Sequence, residues 1–218
     1  MTERPMTKSD SLSAAIGRHQ IELKPEQVEL ADRYCRLLWD WNTKLNLTRH
    51  ADYEKFVSRD LVDSLVLARH LEHGERVLDV GTGGGVPGIL LAICRPDLQV
   101  SLCESVAKKA NVVEQMVAAL GLPVNSFHRR AEDLLAERTF DTLTARAVAP
   151  LAKILTWLTD RWGAFDRLLA IKGPNWIAER HEARERNLLK RLDLRKLETW
   201  PLPGTESESV LLEIRPKG

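Results

Sequence analysis

The stretch RVLDVGTGGGVPGILLA, residues 76–92, places five glycines within the eight positions 81–88, between two apolar runs. RVLDV, residues 76–80, has the apolar and β-branched texture of a buried strand, and GILLAICR, residues 88–95, reads as a helix that Pro96 stops. Pro87 suits a first helical turn. A strand, a glycine turn and a helix in that order form a ligand-facing crevice at the carboxyl end of a parallel sheet. Glycine serves such a turn in two separable ways. It accepts positive backbone dihedrals, and it leaves no side chain where a ligand approaches the backbone.

The spacing narrows the ligand. No G-K-[ST] follows, which excludes a P-loop. Counted from Gly81, the dinucleotide pattern G-x-G-x-x-G breaks at Val86, which disfavours an NAD-linked oxidoreductase. Gly81, Gly83 and Gly85 instead form G-x-G-x-G after a strand containing Asp79, a pattern that resembles class I methyltransferases, which bind S-adenosylmethionine. Glu104 ends the second expected strand about twenty residues beyond the glycines, where a carboxylate can accept from both ribose hydroxyls. A solvated acid at a strand end is the plainer alternative. In RRAED, residues 129–133, Ala131 and Glu132 can lie along an adenine edge, although AEDLLAE is also an ordinary helix start with acids in its first turn.

Around this stretch the chain alternates. From Ser11 to about Glu72 the pattern is helical. In KPEQVELADRYCRLLWDWNTKLNL the apolar positions Leu30, Tyr34, Leu37, Leu38, Trp41 and Leu45 follow three- and four-residue steps, with Pro25 in the first turn. A second helix begins at Asp52 as its cap and is expected to end near Gly74. Strands are expected over 76–80, 99–104, 124–129, 141–146 and 167–173, with helices between most of them, which means βαβ units and a largely parallel sheet. The tail reads as an antiparallel edge hairpin, LETWPLP and SVLLEIRP across GTESE. Residues 1–10 read as a disordered tail, 11–74 as a helical cap and 75–218 as the sheet-bearing core.

Composition bounds the function classes. An apolar fraction of 44% and a charged fraction of 29% in 218 residues suit one folded globular unit. Cys35, Cys94 and Cys103 lack C-x-x-C spacing, which argues against a disulfide framework and a thiolate zinc site and makes them small buried hydrophobes. No run approaches a membrane span, and MTERPMTKSD does not resemble a signal peptide, so a cytoplasmic protein without a membrane partner is expected. A net charge of +1 does not advertise a nucleic-acid binder, so any such case rests on local charge. Residues 180–196, read as one helix, hold seven Lys or Arg against three acids, and Arg129 and Arg130 add charge near the crevice. A charge-laced helix is also an ordinary solvated face.

The fourth strand ends in TARAVAP, residues 144–150, where an acceptor should sit. There is no Asn or Asp followed by Pro-Pro and an aromatic, as amine methylation of bases commonly uses. Nor is a cysteine placed there, as cytosine-C5 chemistry requires. Both absences point to an acceptor atom that is nucleophilic without help.

Six pieces in order then resemble one family, the bacterial small-subunit ribosomal RNA guanine-N7 methyltransferases, also called glucose-inhibited division protein B. They are WNTKLNLT, SRDLVDSLV, VLDVGTGGGVPGILLAI, RRAED, TARAVAPL and IKG, spread between Leu37 and Ile214. The resemblance implies a class I methyltransferase fold: a Rossmann-like, mostly parallel seven-stranded sheet with a C-terminal antiparallel hairpin, behind the N-terminal helical cap. It implies S-adenosylmethionine contacts at Gly81, Gly83, Gly85, Val86, Glu104, Ala131, Glu132 and Arg146. Val86 stands where the family usually has a larger apolar residue.

Guanine N7 carries an in-plane lone pair and no proton at neutral pH, so in-line attack on a sulfonium methyl requires no general base, and positioning can supply much of the catalysis. Arg146 is the expected active-site residue, holding cofactor or an RNA phosphate, against a strand-end salt bridge to an acid such as Asp79 or Glu132. Asn46, Arg59, Asp63 and Lys172 are carried over as substrate-face residues; Arg59 and Asp63 alone would read as a surface i, i+4 pair. His70 and His73 lack a third metal ligand. The tryptophans are expected mostly in the core, with Trp39 or Trp41 left available for stacking.

The expected partner is small-subunit ribosomal RNA or the assembling small subunit, met by a monomer. Two other functions compete: a methyltransferase of the same fold with another RNA, protein or small-molecule acceptor, and a non-catalytic RNA-binding module.

Overall fold

The computed structural model describes residues 11–218. The tail expected over residues 1–10 lies outside the described residues. Seven strands form one sheet: β1 Arg76–Val80, β2 Gln99–Glu104, β3 Asn125–His128, β4 Thr142–Arg146, β5 Arg167–Lys172, β6 Leu192–Pro201 and β7 Glu208–Pro216. Their order is β3-β2-β1-β4-β5-β7-β6. The first five run parallel, and β7 inserts antiparallel between β5 and β6. The order reverses between β1 and β4, which is where an open α/β sheet leaves its ligand crevice.

Before the sheet come α1 Leu12–Arg18, α2 Pro25–Asn42 and a helix built as α3 Tyr53–Lys55, a π-helical stretch Phe56–Leu61 and α4 Val62–Arg69. Between and after the parallel strands lie α5 Gly88–Cys94, α6 Ala107–Leu120, α7 Ala131–Leu134, α8 Leu151–Trp157 and α9 Trp176–Glu185. Pro25 opens α2 and the Asp52 carboxylate caps α3 by accepting from Lys55 N at 2.8 Å, both as the sequence indicates.

Side chains alternate across each strand, so the sheet has two cores. Val77 joins the core that includes Tyr34, Leu38, Phe56 and Leu61 of the helical cap; Leu78 and Val80 join the opposite core with Leu143, Ala145, Leu151 and Leu155. Cap and sheet therefore share one continuous apolar interior.

Three expectations are corrected. Residues 180–196 are not one helix: α9 ends at Glu185, Asn187 takes φ +58 and Leu188 N donates back to Ala183 O, after which Leu192 starts β6. The left-handed residue closes the helix, and the alternation of Leu192 and Leu194 with polar neighbours is a strand period. The cap's last helix stops at Arg69 and not near Gly74, because its end is fixed by His70 N donating to Leu67 O while Leu71 turns into the core. Of the six tryptophans only Trp200 is buried. Indoles are too large to be enclosed easily, and the other five cover the surface of the cores. Trp39 and Trp41 are both half-buried, Trp39 against Tyr53 and Trp41 beneath Lys44.

Candidate functional site

The glycine turn folds back over the end of β2. Gly81 N and Thr82 N both donate to Cys103 O, at 2.8 and 3.1 Å, and Gly83 N donates to Glu104 Oε2 at 3.0 Å. Glu104 Oε1 accepts from Val106 N at 2.8 Å. The carboxylate is thus fixed between the turn and the start of α6, and an ionised carboxylate retains further lone pairs on both oxygens.

The glycines do different things. Gly81, Gly83 and Gly85 have φ of +65, +59 and +100°. A Cβ on Gly81 would come within 2.8 Å of Val148, on Gly85 within 2.5 Å of Ile89, and on Gly88 within 2.1 Å of Leu102. Gly84 sits under Leu38 and Leu47 of the cap, and its carbonyl accepts from the buried Tyr34 hydroxyl at 2.9 Å. At Gly83 a Cβ would meet nothing closer than Gly81 O at 3.8 Å, an ordinary contact. A Cβ at any of the other four glycines would come within 3.0 Å of the protein's own atoms, and Gly83 alone among the five has room for one.

Beneath the turn, the fully buried Asp79 accepts from Gly88 N at 3.1 Å and from Thr144 Oγ1 at 3.0 Å. Burial pushes its carboxyl up to about 6, against the opposing pull of these hydrogen bonds.

Arg146 ends β4. Its Nη2 lies 2.7 Å from Asp60 Oδ1 and its Nε 2.7 Å from Asp63 Oδ2. Asp63 also accepts from Trp200 Nε1 at 3.0 Å, and Asp60 Oδ1 is 2.8 Å from His50 Nδ1. Burial raises the Asp63 carboxyl although Arg146 pulls it down; the two buried carboxylates hold the Arg146 guanidinium charged. The alternative for Arg146, a strand-end salt bridge, forms, but to Asp60 and Asp63 and not to an acid such as Asp79 or Glu132, and strand parity accounts for the acids that face it. Leu143 and Ala145 face the far core, so Thr142, Thr144 and Arg146 face the cap, where Asp60 and Asp63 wait. Glu132 is on α7, which buries Ala131 and Leu134 in that far core, and Asp79 is engaged by Gly88 and Thr144.

Val86, half-buried against the cap-side core, precedes Pro87 through a cis peptide. Ala131 is buried at the start of α7, and half-buried Glu132 lies 3.6 Å from Arg130. Lys172 is turned inward, its Nζ 2.6 Å from Glu179 and donating to Ala149 O at 2.8 Å, so it holds the loop after β4. Asn46 is exposed. Arg59 is half-buried and has no ion pair among the described residues. The expected Arg59–Asp63 pair does not form, because the π-helical stretch alters the i, i+4 register and Asp63 is committed to Arg146 and Trp200. His70 faces Glu198 at 2.9 Å, His73 is exposed, and no group of three potential metal ligands occurs among the described residues.

His50 and Asp60 escaped the sequence reading. The signal for Asp60 was there: two acids three apart, on one face of a largely apolar helical run, FVSRDLVDSLVLA. His50 lies in a loop and carries no periodicity.

Counted from Gly83, the turn does satisfy G-x-G-x-x-G through Gly85 and Gly88, so spacing alone does not exclude a dinucleotide. The sheet order decides the class. An antiparallel β7 lodged between β5 and β6 departs from the all-parallel 3-2-1-4-5-6 dinucleotide fold. This sheet, with the glycine turn and strand-end acid at its switch point, is the architecture of class I S-adenosylmethionine-dependent methyltransferases.

Solved structures of that class share the fold. TrmK from M. capricolum, in complex with S-adenosyl-homocysteine, aligns with a TM-score of 0.55 at 14% identity, over 71% of this chain and 68% of that one. An O-methyltransferase from Thermotoga maritima aligns with a TM-score of 0.53 at 18% identity, over 83% and 72%. A family described as rRNA small subunit methyltransferase G, GidB, matches residues 27–201, and the chain belongs to that family. Ribosomal RNA small subunit methyltransferase G of Rhodopirellula baltica is 49% identical over 89% of this chain and 84% of its own length. The protein of the same name from Chromobacterium violaceum is 42% identical over 74% and 78%.

Proposed function

We propose that the protein transfers a methyl group from S-adenosylmethionine to N7 of a guanine in small-subunit (16S) ribosomal RNA. The observation that carries this is the Gly83 backbone, where a Cβ would meet no clash, bonded to the Glu104 carboxylate at the switch point where Arg146 ends β4, in a chain of the methyltransferase G family. These residues fit the cofactor: Glu104 has acceptor capacity for the ribose hydroxyls, Gly83 admits close approach, and Gly81 and Gly85 shape the turn around them. When bound, S-adenosylmethionine supplies an electrophilic methyl on a sulfonium.

The chain's own part is to position. Ala131 and Glu132 line the adenine side, Val86 the methionine side, and Arg146 turns its guanidinium toward the acceptor region at the end of β4. Asn46 and Arg59 face the substrate. Lys172 and Asp63 act from behind, Lys172 through the Ala149 carbonyl and Asp63 through Arg146. Because guanine N7 is already nucleophilic, no general base is assigned; proximity and orientation account for the rate. Arg59, on the helix that carries Asp60 and outside any ion pair among the described residues, favours an RNA partner. The protein works as a monomer in the cytoplasm, where ribosomal subunits assemble, and no described helix is long and apolar enough to cross a membrane.

The test incubates the purified chain with methyl-labelled S-adenosylmethionine and, in turn, unmodified small subunits, bare 16S RNA and a cell metabolite extract. Label is expected in the RNA of the first or second. Label confined to the extract would transfer the reading to a small-molecule methyltransferase, and none in any sample, with RNA retained on the protein, to a binding module.

A further inference from the structure

The cluster around Arg146 is incomplete as it stands. Asp60 Oδ1 serves two partners at once, Arg146 Nη2 at 2.7 Å and His50 Nδ1 at 2.8 Å. Its other oxygen, Oδ2, is one of three buried side-chain polar atoms without a hydrogen-bond partner among the described residues. The two outward nitrogens of the cluster, Arg146 Nη1 and His50 Nε2, are neither hydrogen-bonded among the described residues nor buried. The side chains carrying them are 15% and 22% exposed, whereas that of Asp60 is 3% exposed. One enclosed carboxylate oxygen thus holds two side chains that are both partly open to solvent.

The roles of those free ends follow from the carboxylate. Asp60, ion-paired with Arg146, can only accept, so His50 Nδ1 carries the proton between them. In the neutral imidazole Nε2 is then an acceptor. Arg146 Nη1 can only donate. A donor beside an acceptor is complementary to one edge of guanine, where O6 accepts and the adjoining N1–H donates. Adenine presents the reverse, a donor at N6 and an acceptor at N1. The formal charges of Arg146, Arg59, Asp60 and Asp63 cancel, which suits a neutral base better than a phosphate.

We propose that His50 and Arg146, fixed by Asp60, form the guanine-selecting site, His50 Nε2 accepting from N1–H and Arg146 Nη1 donating to O6. This rests on the proposed guanine acceptor. It leaves N7, the neighbour of O6 on the far side from N1, free to attack. Asp60 is a positioning residue, acting through the two side chains it holds.

The experiment measures methyl transfer to unmodified small subunits by the full chain and three variants, with binding of S-adenosylmethionine measured by calorimetry. His50→Ala is expected to lower kcat/KM for the subunit about tenfold or more, the value of a lost hydrogen bond in a site that rejects unpaired groups, with cofactor affinity held within about twofold. His50→Gln places an amide oxygen where Nε2 was and is expected to recover most of that loss. His50→Phe, similar in size but without an acceptor, is expected to stay as low as His50→Ala. All three keep the Asp60–Arg146 pair, so folding is preserved. The assignment is overturned by His50→Ala within about twofold of wild type, by His50→Phe matching His50→Gln, or by an equal loss of cofactor affinity. Product analysis of the wild type separates the two levels. Label on guanine N7 with an unaffected His50→Ala overturns this assignment alone, and label on another acceptor overturns the functional reading as well.

Discussion

Arg146 Nε lies 2.7 Å from Asp63 Oδ2, which ties the carboxyl end of β4 to the helix that precedes the sheet. With Asp60 at Nη2 of the same guanidinium and Trp200 donating to Asp63, the contact joins cap, central strand and edge hairpin at one buried point. Arg146→Ala leaves two enclosed carboxylates facing each other. Removing one partner of a buried pair costs about 3–5 kcal/mol, and urea unfolding should show a loss of that order together with loss of methyl transfer. A loss under about 1 kcal/mol would mean that the clamp is not structural.

Asp79 gives the fold a dependence on pH of unusual sign. Its carboxyl is pushed up by burial from 3.8 to about 6, so folding favours the protonated form. That contribution is complete below about pH 4 and is lost as the pH rises through about 6, amounting to about 3 kcal/mol over the interval. Asp79→Asn removes the titration. The stability difference between wild type and variant should therefore change steadily in the variant's favour from about pH 4 to about pH 7. A constant difference would contradict the assignment.

Gly83 and Gly88 should separate binding from folding. A Cβ at Gly88 meets Leu102 at 2.1 Å and Asp79 Oδ2 at 2.9 Å, so Gly88→Ala should destabilise by about 1–3 kcal/mol through overpacking. At Gly83 there is space, and the cost to folding of an alanine at φ +59 is about 1 kcal/mol. Thermal denaturation should rank Gly88→Ala as the less stable variant, while calorimetry should find the greater loss of S-adenosylmethionine affinity in Gly83→Ala relative to its stability.

Glu104 both fixes the turn and, in the proposed site, receives the ribose. Glu104→Ala should weaken S-adenosylmethionine binding at least about tenfold, equivalent to ~1.4 kcal/mol. Unchanged affinity by calorimetry would remove Glu104 from the ribose and leave it as the anchor of Gly83 N alone.

The sheet was legible because its strands are short, apolar and separated by strong turns: β1 and β2 occupy the expected residues, β4 and β5 differ by one residue at one end, and β3 is shorter by one residue at each end. The start of β6 was hidden because LDLRK follows a charged helix without proline or glycine between them, and the break at Asn187 is a matter of backbone conformation. Within the site, Gly83 and Glu104 could be read because they lie at strand ends on one local unit. The Arg146 clamp could not, since its acids belong to a helix distant in sequence and only strand parity brings them to the same side. Neither could the division of labour among the glycines, which depends on what packs above each one.

The central claim concerns the atom that receives the methyl. Unmodified small subunits treated with the protein and S-adenosylmethionine should yield, after digestion of the RNA to nucleosides and mass spectrometry, one new methylated nucleoside, N7-methylguanosine, absent when Arg146→Ala replaces the wild type. Appearance of the methyl on another base, on a ribose oxygen or on a ribosomal protein, with no N7-methylguanosine formed, would contradict the account.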